Sequence, residues 1–430
     1  MPWFSREADS ISRPEVEQMC QRLLDEAKSR LNIREFRRVL LLPPDLTRAH
    51  SGAGWITETL YKLLPRTCDT HVIPTLGQHR PHTKEENAWM FGSIPQERIH
   101  PHDWRKGVTH VGVIPAELVK EKTGGRADWA IPVDLNTMLM THKWDLIVNV
   151  GHVVPHEVLG FANHNKNYFI GLGGKDSICA AHLASATYGI EANLGCLITP
   201  TRACFNWAEE KFLAQLPDVY LQVVMQRDPD NRLVHSGVYV GDDLETYLQA
   251  ARRSKAQNIT VFEEPLKKIV AVMQADEFRS TWVANKAIYR TRMAMADGGE
   301  LLILAPGLER FGEQDDVDRF IRKYGYCGTP RCMSMYKDNP DMQDLAHATA
   351  HLLHGSSEGR FTIRYAPGHM TADEIEGVNF EYADLNEMLK RYDPGKMKEG
   401  WNTMGDGERV YFISTPSSGL WATRARLAGR

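Results

Sequence analysis

The sequence has no Cys-x-x-Cys pair; its seven cysteines, at 20, 68, 179, 196, 204, 327 and 332, are scattered and odd in number. That argues against a disulfide scaffold or a cysteine-based zinc cluster, and for a reducing compartment. No apolar run approaches the roughly 18 residues of a membrane span. The start, MPWFSREADS, carries Asp and Glu and no apolar core of signal-peptide length. Charge of one sign is lacking too: 51 basic residues stand against 55 acidic ones, with no long basic run. Neither nucleic acid nor an anionic membrane is therefore an expected partner, and the expected ligand is small. We expect a cytoplasmic protein.

Several familiar motifs are started and not completed. GLGGKDS puts Lys175 after a glycine pair, but a phosphate loop needs a glycine where Phe169 stands and Ser or Thr where Asp176 stands. Gly171 and Gly173 lack the third glycine of a dinucleotide fingerprint. HEVLG at His156 fails the HExxH zinc pattern, because its fifth residue is Gly160. There is no internal repeat, and no Pro/Ser linker divides the 430 residues.

What is present is a recurring unit: a short apolar run that ends in a polar loop. Val39–Leu42 leads into PPDLTRAH, Val72–Leu76 into GQHRPHTKEE, Leu146–Val150 into the histidine-rich stretch up to Lys175, and Leu301–Ala305 into PGLERFGE. Such runs read as buried strands, and in open α/β sheets ligands bind beyond the carboxyl ends of strands. Ser12 and Glu15 form a capping box before a helix with Val16, Met19, Cys20, Leu23, Leu24 and Ala27 on one face. Val108–Ile114 reads as a further strand and Trp55–Leu64 as part of the same alternation. A second rhythm begins near Phe278: a helical pattern to Met295, a stop at Asp297–Gly299, then strands at Leu301–Ala305, Phe361–Tyr365 and Val410–Ser414. Helices are expected at Asp315–Lys323, Met342–Leu353 and Leu385–Arg391. The expected fold is α/β: two domains, 1–275 and 276–430, with mainly parallel sheets facing a shared active-site cleft.

Most of the 17 histidines, His347, His351 and His354 among them, read as ordinary surface or core residues. His79 and His156 stand out, because each lies just past a buried strand beside a proline, Pro81 or Pro155, that stiffens its loop.

Taken in order, DLTR (Asp45–Arg48), LGQHRPHTKEE (Leu76–Glu86), HDWR (His102–Arg105), VPH (Val154–His156), GGK (Gly173–Lys175) and ANK (Ala284–Lys286), followed by DGGELLILAPGLERFG, resemble the nickel-dependent lactate racemase family of hydroxyacid racemases and epimerases. The resemblance runs from about residue 40 to 315. It implies a nickel-pincer nucleotide, a pyridinium mononucleotide holding Ni and made by cofactor-synthesis proteins, and a 2-hydroxy acid substrate that passes through a 2-keto acid. It implies His79 and His156 as paired acid/base residues, a role suited to imidazole. It further implies Lys286, with Trp282, at the substrate, and Asp45, Thr47, Arg48, Gly173, Gly174 and Lys175 at the cofactor.

The chain departs from the family at three places. FANHNKN looks like inserted material between His156 and Lys175; Glu191 stands where the family's nickel-binding histidine is expected; and Trp282 and Val283 replace an aromatic and an amide residue. His182, seven residues after Lys175, is our choice as the nickel ligand, with His164 as its rival. Two other functions compete: a zinc hydrolase using His152, His156 and His164 with Asp45, and a non-catalytic metabolite-binding relative.

Overall fold

The computed structural model describes residues 1–228, 230 and 232–428. The chain forms two compact α/β units: Met1–Ala181 with Leu197–Gln257, and His182–Cys196 with Asn258–Arg430. The sequence reading placed one change of unit near residue 275; the chain changes unit at 181/182, 196/197 and 257/258. Among the described residues, no helix is long and apolar enough to cross a membrane.

The first unit is built on a six-stranded sheet in the order Phe4–Ile11, Leu233–Gly241, Asp218–Arg227, Leu146–His152, Arg38–Leu42, Asp69–Val72. Its last four strands are parallel neighbours, while the other two are antiparallel additions at one edge. Leu146–His152 is buried throughout, as a parallel strand covered on both faces must be. The helix Arg13–Leu31 starts at the expected capping box, where the Ser12 amide donates to Glu15 at 2.8 Å, and ends at Asn32 in the left-handed region at φ 53°. Its six expected apolar residues are all buried against the sheet.

Two readings change. The third strand covers Asp69–Val72 and stops before Pro74, although extended backbone continues, with the Thr75 amide donating to the Pro43 carbonyl at 2.8 Å. Val108–Ile114 is a strand, but it pairs antiparallel with Ile131–Asn136 in a separate ribbon.

In the second unit the sheet order is Glu381–Tyr382, Thr362–Pro367, Met295–Ala305, Leu266–Val272, Arg409–Ile413, Gly400–Thr403, parallel except for the final pair. The helical pattern expected from Phe278 to Met295 is interrupted: Thr281–Ala284 and Lys286–Thr291 are separate short helices meeting at Asn285. Asn285 is drawn into tertiary bonds, accepting from the Tyr365 hydroxyl at 2.7 Å. Asp297–Gly299, expected as a stop, lies inside the strand, because Leu266 pairs with Met295 and the Gly298 amide donates to the Arg360 carbonyl. Met342–Leu353 likewise divides into Pro340–Asp344 and Ala346–Gly355.

Candidate functional site

Because Arg38–Leu42 lies between Asp69–Val72 and Leu146–His152 in one parallel array, the loops leaving all three strands emerge at the same edge of the sheet. The first loop begins at Asp45, which caps the short helix Leu46–Ser51. One carboxylate oxygen accepts from the Thr47 hydroxyl at 2.7 Å and its amide at 3.2 Å. The second loop is stitched to it. The Leu46 amide donates to His82 Nε2 at 3.2 Å, and the His79 amide to the Leu76 carbonyl at 3.0 Å. The result is a direct contact between His79 Nδ1 and the other Asp45 oxygen, 34 residues apart in sequence.

Burial alone would raise the Asp45 carboxyl. The charge of His79, its hydrogen bond, the Thr47 hydroxyl and the Arg48 charge outweigh that effect and hold Asp45 well below the ordinary carboxylate range. With an ionised acceptor at Nδ1, the proton of His79 resides there and Nε2 is the basic nitrogen. His156 takes the opposite tautomer. It sits in a tight ribbon, Pro155–His156 against Gly160–Phe161, and its Nδ1 accepts from the Val158 amide at 3.2 Å. The proton of the neutral ring therefore sits on Nε2, with the Glu157 carboxylate 3.8 Å away.

The third loop is not a loose insertion. Asn163, His164, Asn165 and Asn167 are 0–5% exposed. Arg202, fully buried, donates to the carbonyls of Phe161 (2.7 Å) and Asn163 (3.2 Å) and to the Asn165 side chain. Asn167 donates to Asn149 of the central strand at 2.7 Å. Asn163 and His164 take left-handed conformations, φ 69° and 58°, so the chain turns sharply before the π-helix Asn167–Gly171. His164 stacks on Tyr220, ring centroids 4.2 Å apart, and burial together with the Arg202 charge keeps its imidazole neutral. Lys166, which sequence reasoning passed over, is brought by burial and by the Arg48 charge down to about 8, opposed by Asp45 and Glu157. Glu157 was missed as well; it lies within reach of Arg48. The only sequence signal for either residue was a charge beside or within the histidine-rich run.

Lys175 begins the helix Lys175–Tyr188, its amide donating to the Trp104 carbonyl at 2.9 Å. The glycines before it have a packing reason: a Cβ on Gly174 would come 2.7 Å from Asp134 Cβ, and one on Gly171 would come 2.5 Å from Thr75 Cβ. His102 supports this turn by donating from Nε2 to the Gly173 carbonyl at 3.0 Å. His182 follows on the same helix, about two turns along, beyond the point where the chain passes into the second unit.

In the second unit the Trp282 ring lies over His351, centroids 4.5 Å apart, and edge-on to His347. His351 is held by the hydroxyls of Tyr289 and Tyr326, each at 2.8 Å, the bonded core role expected of it. Lys286 opens its short helix near the Phe278 ring, and its charge reaches Glu277. Among the described residues, no group of three or more His, Cys, Asp or Glu side chains is arranged to hold a metal ion. The quartet His152, His156, His164 and Asp45 does not form one.

Residues 6–193 match the lactate racemase N-terminal domain family. Two solved structures resemble nearly the whole chain. A protein from Thermotoga maritima shares 22% identity at a TM-score of 0.80, covering 97% of this chain and 100% of that one. The lactate racemase apoprotein from Thermoanaerobacterium thermosaccharolyticum shares 17% identity at a TM-score of 0.68, covering 97% and 94%. At these identities the likeness establishes the fold. No curated protein sequence matches the chain.

Proposed function

We propose, from the premise that this chain belongs to the lactate racemase family through the N-terminal domain at residues 6–193, that it is a racemase or epimerase of 2-hydroxy acids. The observation that carries this reading is the Asp45–His79 contact, which fixes the tautomer of one histidine in a domain of that family. His156, whose Nδ1 accepts from the Val158 amide and whose Nε2 carries the proton, supplies the acid of the pair.

In this reading, Nε2 of His79 takes the proton of the substrate hydroxyl as C2 becomes trigonal, and the Nε2 proton of His156 is returned to that oxygen as the opposite configuration forms; the reverse reaction exchanges the two roles. Asp45 stabilises the imidazolium of His79 as it forms. Its own charge persists at any working pH, because its carboxyl is held so low. Lys286 neutralises the substrate carboxylate, and Trp282 bounds the substrate.

The donor set fits a nickel-pincer nucleotide. Arg48 and Lys175 are cations suited to a phosphate and its attached acid groups, with Thr47 beside them. The residue set of the competing zinc hydrolase, His152, His156, His164 and Asp45, is not arranged as a metal cluster among the described residues. When bound, that cofactor supplies an acceptor for the C2 hydride and returns it. His182 is the proposed protein donor to nickel. His164, packed on Tyr220, has a structural explanation. The proteins that synthesise the cofactor are the proposed partners.

The test is racemisation by protein co-produced with the cofactor-synthesis proteins. His79→Ala and His156→Ala should each lower turnover by roughly 10²- to 10⁴-fold while leaving the fold intact by circular dichroism. Turnover close to wild type in either variant overturns the two-histidine mechanism.

A further inference from the structure

Cys327 and Cys332, both thiols, are brought together by the start of one helix in the second unit. The helix is Thr329–Asp338, and its N-cap is Gly328 at φ 85°, a left-handed conformation that glycine takes freely. Cys327 is thus the residue before the cap and Cys332 the fourth of the helix, the two positions whose side chains meet when a chain folds back over its first turn. Here they do meet. Cys327 Sγ lies 4.0 Å from the Gly328 carbonyl oxygen, the same oxygen that accepts from the Cys332 amide at 3.0 Å, and the Cys332 thiol donates to the Cys327 sulfur.

Both flanks hold the pair in place. Before it, the buried Tyr326 hydroxyl is bonded to Thr281 at 2.9 Å and to His351 at 2.8 Å; after it, Thr329 donates to Glu358 from its amide at 3.1 Å and its hydroxyl at 2.8 Å. The two sulfurs differ in access. Cys332 is 1% exposed, whereas Cys327 is half-buried and lines an open cavity of about 480 Å³ with Arg331, Ser356, Ser357 and Glu358. They differ in proton affinity as well. The hydrogen bond from Cys332 and the Arg331 charge, against burial and the Glu358 charge, bring the Cys327 thiol from its ordinary 9.0 down to about 7, while the bond to Cys327 and burial push Cys332 up. The thiolate is the reactive form. A pair of valines would close this turn equally well, so the two thiols add chemistry that packing does not require.

We propose that Cys327 is an oxidation site for hydrogen peroxide and Cys332 its resolving thiol, the pair forming a reversible disulfide. The Cys327 thiolate attacks one peroxide oxygen; the O–O bond breaks, hydroxide leaves, and the sulfur, oxidised by two electrons, becomes a sulfenic acid. The Cys332 sulfur then attacks the Cys327 sulfur. The S–S bond forms, the S–O bond breaks, and the hydroxyl departs with the Cys332 proton as water. A dithiol reductant reverses the bond, and in a reducing compartment such a disulfide is transient and serves as a sensor. The assignment is independent of the racemase reading.

The test exposes the reduced full chain to a small excess of hydrogen peroxide at about pH 7, unfolds it in N-ethylmaleimide and digests it with trypsin. Cleavage after Lys323, Arg331 and Lys337 puts the two cysteines on separate peptides. Treated wild type should carry two labels fewer than the seven of untreated protein, with peptides 324–331 and 332–337 joined to each other and parted again by dithiothreitol. Cys332→Ser should leave Cys327 as a sulfenic acid captured by dimedone, and Cys327→Ser should leave Cys332 reduced. Seven labels on treated wild type, a disulfide between two other cysteines in place of this one, or Cys332 oxidised as readily in Cys327→Ser as in wild type overturns the proposal.

Discussion

Asp218 sits under the platform that carries His164 and Lys166, and its protonation should govern how stability depends on pH. Its carboxylate accepts from the Tyr168 hydroxyl at 3.0 Å, and Tyr220 in turn donates to Glu209. Burial, reinforced by the charge of Glu209 and opposed by the bonds from Tyr168 and Tyr220, pushes Asp218 from its ordinary 3.8 up to about 7. A raised acid binds its proton more tightly in the folded state, so between pH 4 and pH 7 the folded chain holds a proton that the unfolded chain has lost. Stability therefore falls as pH rises through that window, and the loss is complete above about 7. At about 1.4 kcal/mol per pH unit the ceiling is about 4 kcal/mol. Because Glu209 is also raised by burial and the two acids titrate together, an effect of about 2 kcal/mol is the expected size. Asp218→Asn removes the charge and keeps an acceptor for Tyr168. Urea unfolding followed by tryptophan fluorescence, which reports on Trp55, Trp104 and Trp144 of this unit, should show the variant more stable than wild type at pH 8.5 and no more stable at pH 4. A variant less stable than wild type at pH 8.5, or a difference that does not change with pH, would refute the account of a strained buried carboxylate.

Arg202→Met should destabilise the first unit by about 3 kcal/mol or more, because three buried acceptors lose their donor at about 1–3 kcal/mol each; a urea midpoint unchanged from wild type would contradict this. Asp45→Asn should lower that midpoint, because a carboxylate held well below its ordinary range stabilises the folded unit, and should also reduce racemisation at least tenfold, since His79 loses the charge that fixes its tautomer; the check is a turnover measurement beside an unfolding curve. Intact-protein mass spectrometry of cofactor-loaded protein should show an added mass that Lys175→Ala abolishes, whereas His182→Ala should retain the organic mass and lose nickel by elemental analysis. Nickel lost on removing His164 and kept without His182 would move the ligand to the buried loop.

The sequence by itself determined the elements whose cause is local. The capping box at Ser12 and Glu15 begins a helix wherever the chain lies, and the apolar runs at Val39–Leu42 and Leu146–Val150 can be little else than buried strands. It also singled out Asp45 and His79, 34 residues apart in sequence, which the fold brings into direct contact, and His156, whose Nδ1 accepts from the Val158 amide. It gave no view of the antiparallel edge formed by Phe4–Ile11, Asp218–Arg227 and Leu233–Gly241, whose pairing joins the first residues of the chain to positions more than 220 residues away. Tertiary structure overruled local pattern where long-range bonds were available: Asn285 leaves the helical run to meet Tyr365, and Asp297–Gly299 joins the strand once Leu266 lies beside Met295. FANHNKN shows the same division. Read along the chain it looks like inserted material, but in the folded unit the buried Arg202 binds the Phe161 and Asn163 carbonyls and the Asn165 side chain, and Asn149 of the central strand accepts from Asn167. Burying polar groups costs least where they find partners, and the partners this segment does find, Arg202, Asn149, Asn206 and Glu209, are assembled by the fold alone.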